Sequence, residues 1–242
     1  MYNLFFRAII HPVSYSGVLK VRELIFEEKI EETPGVFSFI FSMPKPFSWQ
    51  AGQHAIFTLP DKDVQGKTWR AFSIASSPHE GVIRIGTSFP KEPSDFKKKL
   101  MDLNPGEQIK IRGPFGEFHA SGETQKIVGI AGGIGITPFR SLAYEISHGH
   151  LPETDLTLIF SAQENHPYKS DLDNWTSLTE RLRIIYTNTP EEVNQALEAQ
   201  RDIYGNEADY YISGSPNMIK ALRKKCKQIE IKKIVSDPFK GY

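Results

Sequence analysis

The feature that most constrains this chain is the stretch Lys126-Ile-Val-Gly-Ile-Ala-Gly-Gly-Ile-Gly-Ile-Thr-Pro-Phe-Arg140. Residues 127–131 are a short apolar run, the pattern of a strand buried on both faces. Gly132, Gly133 and Gly135 follow with almost no side chain between them. Thr137-Pro138 then reads as the start of a helix, with Thr137 as N-cap and Pro138 in the first turn. Strand, glycine turn and helix N-terminus together make a cradle for a phosphate. Glycine lets the anion approach the backbone, and free N–H groups and the helix dipole favour its charge. The plain alternative is a tight strand-to-helix turn that holds no ligand, and the spacing is not G-x-G-x-x-G.

After this turn, strand and helix signals alternate. Strands are expected at 127–131, 156–160, 182–186, 210–212 and 231–235, and helices at 137–147, 171–180 and 190–200, with one more after Ser215. Thr189-Pro190-Glu191-Glu192 is a capping box with proline in the first turn. Ser215 is the N-cap of the last helix, with Pro216 behind it. Repeated β-α-β units of this size imply a parallel sheet with helices on both faces. Ligands of such sheets sit at the carboxyl ends of the strands. Gly132 to Gly135, Ser161 to Gln163, and Ser213-Gly214-Ser215-Pro216 all fall at such ends.

The first half has a different rhythm. Short strand patterns at 18–30, 36–41, 53–59, 69–75, 82–87 and 108–112 are separated by turn signals such as Pro34-Gly35 and Asn104-Pro105-Gly106. Phe37, Phe39 and Phe41 alternate onto one face. A short helix is expected from Ser94, as N-cap, to about Met101. Five or six short strands with one small helix suggest a closed antiparallel barrel. Strand alternation puts Arg70, Phe72 and Ile74 on one face and Ala71, Ser73 and Ala75 on the other. A cation beside an aromatic suits a ligand with a phosphate and a flat ring, while an ordinary half-buried strand explains the same residues. The helix start at Ser94, followed by Lys97-Lys98-Lys99, is either a second phosphate site or a capped helix with a solvated face.

Composition narrows the class. With 242 residues, two modest domains are expected, 1–120 and 121–242, the first with a short N-terminal lead-in to which no role is assigned. The formal net charge of zero gives no whole-chain signature of nucleic-acid binding. Cys226 is the single cysteine, which excludes an intrachain disulfide and a four-cysteine iron–sulfur cluster in this chain. No apolar run reaches the roughly 18 residues of a membrane span, and the start of the chain lacks a signal-type pattern, so a cytoplasmic location is expected. No metal site is expected.

Four segments in order now resemble one family. Arg70-Ala71-Phe72-Ser73, Gly113-Pro114-Phe115-Gly116, Gly132-Gly133-Ile134-Gly135-Ile136-Thr137-Pro138 and Tyr211-Ile212-Ser213-Gly214-Ser215-Pro216 are similar to motifs of the ferredoxin–NADP reductase superfamily. The resemblance runs from about residue 18 to 242. It implies a flavin-binding barrel, a nicotinamide-dinucleotide domain, and hydride transfer from nicotinamide C4 to flavin N5 before electrons pass to an acceptor. FAD, the family's usual cofactor, and NADH or NADPH are the cofactors it implies. Arg70 would neutralise the flavin phosphate, Phe72 would pack on the flavin where the family more often has Tyr, and Ser73 would orient hydride transfer near N5. Ser94 and the following N–H groups would sit on the pyrophosphate, although Lys91 stands where the family pattern has Gly. Ile85, Thr87 and Phe96 are assigned to the same cofactor. Gly132, Gly133, Gly135, Thr137 and Pro138 would hold the nicotinamide nucleotide with Ser161, Gln163, Ser213, Gly214 and Pro216. At the C-terminus, Phe239 or Tyr242 would cover the flavin, or the tail is simply frayed.

Two departures from the pattern bear on activity. Ser213 replaces the Cys that the family often places near the nicotinamide, keeping a polar donor but losing a thiol. Ser161-Ala162-Gln163 lacks the Arg that follows Ser in many NADPH-selective members, which leans the expectation to NADH; Lys169 is the alternative cation that would reach a 2′-phosphate. The expected function is therefore a flavin-dependent oxidoreductase passing electrons to a separate acceptor, an acidic electron-transfer protein such as ferredoxin or flavodoxin, or a small molecule. A non-catalytic flavin- or nucleotide-binding subunit of a larger redox complex is the alternative. Lys and Arg between 220 and 233 would steer an acidic partner, or form the solvated face of the last helix.

Overall fold

A computed structural model describes residues 16–45, 47–120 and 125–236. The chain divides into two compact units, Met1–His119 and Ala120–Tyr242.

Unit 1 opens with a 3-10 turn, Ser16–Leu19, and contains six antiparallel strands: β1 Val21–Thr33, β2 Val36–Ser42, β3 His54–Thr58, β4 Trp69–Ser73, β5 Ile83–Ser88 and β6 Gln108–Phe115. They pair in the order β4-β3-β6-β1-β2-β5. Ala75, just past β4, donates its N–H to the Arg84 carbonyl of β5 at 2.7 Å, so the sheet curls back on itself. The interior follows from period-2 alternation. Leu24 and Phe26, Phe39 and Phe41, Ala55 and Phe57, Phe72 and Ile74, Ile83 and Ile85, and Ile109 and Ile111 share one core. Helix α1, Asp95–Met101, contributes Phe96 and Leu100 to it. Rings meet tilted or edge-on, as between Phe57 and Phe72 at 5.6 Å, the arrangement their quadrupoles prefer. The Gly113-Pro114-Phe115 segment continues β6 instead of following it.

Unit 2 contains β7 Gln125–Gly132, β8 Thr154–Ser161, β9 Leu182–Thr187, β10 Asp209–Ser213 and β11 Ile234–Ser236. Its helices are α2 Thr137–Ser147, α3 Lys169–Thr176, α4 Pro190–Tyr204 and α5 Pro216–Gln228. All strand pairs are parallel, in the order β11-β10-β7-β8-β9. Helices cover both faces. Val128, Ile130, Ile159, Tyr210 and Ile212 pack against Val193, Leu197, Leu222 and Cys226 of α4 and α5. On the opposite face, Gly129 is hemmed in by Phe139 of α2 and by Leu158. The expected order of elements holds, with shifted ends: α3 starts and stops earlier than 171–180, α4 runs four residues past Gln200, and β11 begins at Ile234.

The start of α2 differs from the reading of Thr137 as a cap. Gly133–Ile136 forms a 3-10 turn that runs straight into α2. Thr137 is itself helical, with φ −53° and ψ −48°, and its hydroxyl donates to the Ile134 carbonyl at 3.1 Å. The preceding 3-10 turn occupies the place where an extended cap residue would stand. The capping box at Thr189 and Glu192 is formed, and Ser215 caps α5 by accepting from the Met218 N–H.

Candidate functional site

In unit 1 the candidate site gathers around Arg70, which is 8% exposed. Its Nη1 donates to the carbonyls of Lys67 at 2.7 Å and Trp69 at 2.9 Å, and its guanidinium lies 5.3 Å from the Phe96 ring centroid. Lys67 approaches from the loop before β4, over the Trp69 ring at 3.9 Å. Lys97 approaches from α1, with Nζ donating to the Ser88 carbonyl at 2.7 Å. The loop and the helix are tied together, because the Gln65 N–H donates to Asp95 Oδ2 at 2.8 Å. Burial, and then the Arg70 charge, hold both lysines below their ordinary pKa. Desolvation and like charge therefore disfavour the charged lysines, the condition that an added phosphate would relieve. Ser94 heads α1 but makes no capping bond, and its buried hydroxyl has no hydrogen-bond partner. An orphaned hydroxyl at the head of the helix that carries Lys97 fits a phosphate-bearing cofactor.

The other residues assigned to this cofactor separate into two groups. Ser73 pairs across the ladder with His54, so both side chains stand on the face opposite Phe72. His54 in turn meets the Phe115 ring edge-on at 4.4 Å. Phe72, Ile85 and Phe96 belong to the barrel core and are 3%, 0% and 0% exposed. Their alternation points them inward. Phe96 backs the Arg70 guanidinium. Thr87, also buried, lies opposite Phe37 in the β2–β5 ladder.

In unit 2 the site follows from topology. The chain moves outward from β7 to β8 and β9, then returns to place β10 on the other side of β7. The gap between β7 and β10 is the switch point of the sheet, where parallel folds bind ligands beyond the carboxyl strand ends. Both glycine turns stand there, one after β7 and one after β10. The three glycines of the first turn have different reasons to be glycine. A Cβ on Gly135 would lie 2.4 Å from the Ser213 carbonyl oxygen, a backbone clash. A Cβ on Gly132 would lie 2.1 Å from Met218 Sδ. Gly133, at φ +52°, has nothing within 4 Å. Packing thus accounts for two of them, and only Gly133 faces open space in a left-handed conformation.

Ser213 is buried, whereas Gly214 is part-exposed and Pro216 exposed. Pro138 is buried in the first turn of α2. Ser161 ends β8 and pairs with Gly132, so it borders the same edge, and Gln163 is exposed just beyond it. Lys169 Nζ is held by Asp173 at 2.5 Å and lies over the Tyr186 ring. Cys226 is buried, and burial pushes its thiol up to about 11, which suits packing and not redox chemistry. Tyr242 and Phe239 lie outside the described residues. Among the described residues no group of three or more His, Cys, Asp or Glu is placed to hold a metal, and no helix is long and apolar enough to cross a membrane. Sequence reasoning missed Lys67 and Met218. Lys67 was visible only as a charge three positions before Arg70, and Met218 as one more apolar residue of a helix.

A family model described as an oxidoreductase NAD-binding domain matches residues 130–224. The ferredoxin NADP+ reductase from Neisseria gonorrhoeae, solved with bound FAD and NADP, superposes with a TM-score of 0.71 at 19% identity, covering 90% of this chain and 98% of that one. The chain therefore shares the two-domain fold of that reductase. The F component of the Na(+)-translocating NADH-quinone reductase of Haemophilus influenzae is 26% identical over 250 residues, covering 88% of this chain and 58% of the relative. The flavohemoprotein of Bacillus subtilis is 28% identical over 228 residues, covering 86% and 56%. The chain thus spans a little over half the length of these relatives.

Proposed function

We propose that the chain is a flavin-dependent oxidoreductase that takes hydride from NADH and passes electrons to a separate acceptor. The observation that carries this reading is the switch point between β7 and β10, with a glycine turn on each side, within the segment matched by the NAD-binding family model. FAD would bind unit 1 through its pyrophosphate. When bound it supplies a flavin N5 that accepts hydride from nicotinamide C4. Arg70, with its planar donor fork, would hold the phosphates, with Lys67 and Lys97 adding charge and the Ser94 hydroxyl a donor. Ser73 would hydrogen-bond the flavin edge and hold its orientation. In unit 2, the N–H groups after Gly132 and Gly133 would receive the dinucleotide phosphate, and Ser161, Gln163, Ser213, Gly214 and Pro216 would border it.

NADH is favoured over NADPH because no Lys or Arg stands in 161–163 and Lys169 is already matched by Asp173. A 2′-phosphate would meet no free cation there. Turnover should be faster with NADH, and a strong NADPH preference would refute this part. On α5, exposed Lys220, Arg223, Lys224 and Lys227 follow helical spacing along one stripe. Such a stripe would steer an acidic electron carrier. Electron delivery that does not respond to salt would leave it a solvated face.

The test is direct. Purified protein should be yellow, and NADH should bleach it in the absence of oxygen. A colourless protein that binds nucleotide but never flavin would make it a non-catalytic binding module.

A further inference from the structure

We infer that Met218 is a positioning residue of the dinucleotide site, setting the approach of the two glycine turns and with it the affinity for the nicotinamide end. This rests on the reading that unit 2 binds a nicotinamide dinucleotide. Met218 lies in the first turn of α5, and its N–H donates to the capping Ser215 hydroxyl at 3.3 Å. Helical side chains lean toward the N-terminus, so the thioether reaches back over the turn it follows. There it fills the volume that a side chain on either turn would need. A Cβ on Gly132 would lie 2.1 Å from Met218 Sδ and 3.0 Å from Cε, and a Cβ on Gly214 would lie 2.9 Å from Sδ. The two glycines also face each other, since a Cβ on Gly214 would stand 3.5 Å from Gly132 Cα.

Gly132, Gly214 and Met218 are therefore one packed contact at the mouth of the β7–β10 gap. Glycines cannot fill a void themselves, so the spacing of the turns is set by what stands over them. An unbranched, polarisable side chain suits that irregular space. Met218 remains half-buried, leaving apolar surface beside Ser213 and Gly214, the segment that the superfamily pattern places near the nicotinamide. Truncating it would let the turns relax, and small displacements of a positioning element cost affinity and rate.

Calorimetric titration of the flavin-loaded protein with NADH and with ADP-ribose, which lacks the nicotinamide, separates the cases. Met218→Ala should weaken NADH by about tenfold and ADP-ribose, which shares only the phosphate contacts of the first turn, by less, and Met218→Leu should restore most of the loss. If Met218→Ala is recovered unfolded by circular dichroism, Met218→Gln, equal in length but polar at its end, takes its place with the same expectation. Unchanged NADH affinity in the variant, or an equal loss for both ligands, overturns the inference alone. A wild-type protein that binds neither ligand overturns it together with the reading it rests on.

Discussion

In unit 1 the candidate anion site is made of side chains: Lys67, Arg70 and Lys97 converge there from a loop, a strand and a helix. In unit 2 the candidate site is made of backbone, for residues 132–138 and 213–216 contain neither Lys nor Arg. The first arrangement holds charge in place against its own repulsion. The second stores no charge and depends instead on close approach of two turns. One should respond to pH, salt and charge substitution, the other to any added Cβ.

The largest expected effect tests the backbone side. Gly135→Ala brings a methyl group against the Ser213 carbonyl, a contact that neither partner can rotate away from. It should destabilise unit 2 by about 3 kcal/mol, the upper end for overpacking, as read by urea unfolding. Gly133→Ala meets no atoms and bears only the left-handed backbone cost, about 1 kcal/mol. Equal losses at the two positions would break the distinction between a packed and an open glycine.

The next effect tests the charged side. Arg70→Gln should weaken FAD by about 2 kcal/mol, roughly thirtyfold, as expected for charge-assisted hydrogen bonds. Nucleotide titration of unit 2 should not change. Arg70→Lys should recover little, because an ammonium cannot reproduce the planar fork.

A smaller effect is carried by pH. Lys97 has a folded pKa below its unfolded value, so its charged form is disfavoured in the fold. Between those two values the unfolded chain holds more protons, and stability of the flavin-free protein should rise with pH through that window. A bound phosphate favours the charged lysine, so FAD affinity should fall over the same window. Lys67 is exposed and its share should be screened by salt. Titrating FAD at several pH and salt values checks both signs, and a flat response would remove Lys97 from the site.

The smallest effect separates capping from binding. Thr189→Ala and Ser215→Ala each remove a formed cap and should cost about 1 kcal/mol. Ser94 makes no such bond, so Ser94→Ala should leave thermal stability in place while lowering FAD affinity. A stability loss at Ser94 equal to that at Ser215 would return it to an ordinary cap.

Much of this architecture is legible in residue order. Local alternation marks each strand of the barrel, because an inward position must be apolar to be buried. The apolar run 127–131 between polar segments marks a strand covered on both faces, and Thr189 with Glu192 specifies a helix start by hydrogen bonds that span only three residues. The expected cofactor class also rests on short motifs, each within one strand or at one strand end. What only the tertiary structure decided involves partners far apart in the chain. Gly135 is glycine because Ser213 stands behind it, and Gly132 because Met218 does. Phe72 turns to the core because Phe57 and Phe96 are there to receive it. Lys67 joins Arg70 because the Gln65 N–H is tied to Asp95 on α1. Periodicity records whether a residue is covered; which neighbour covers it is set by packing between elements, and that is where the chemistry of both candidate sites is assembled.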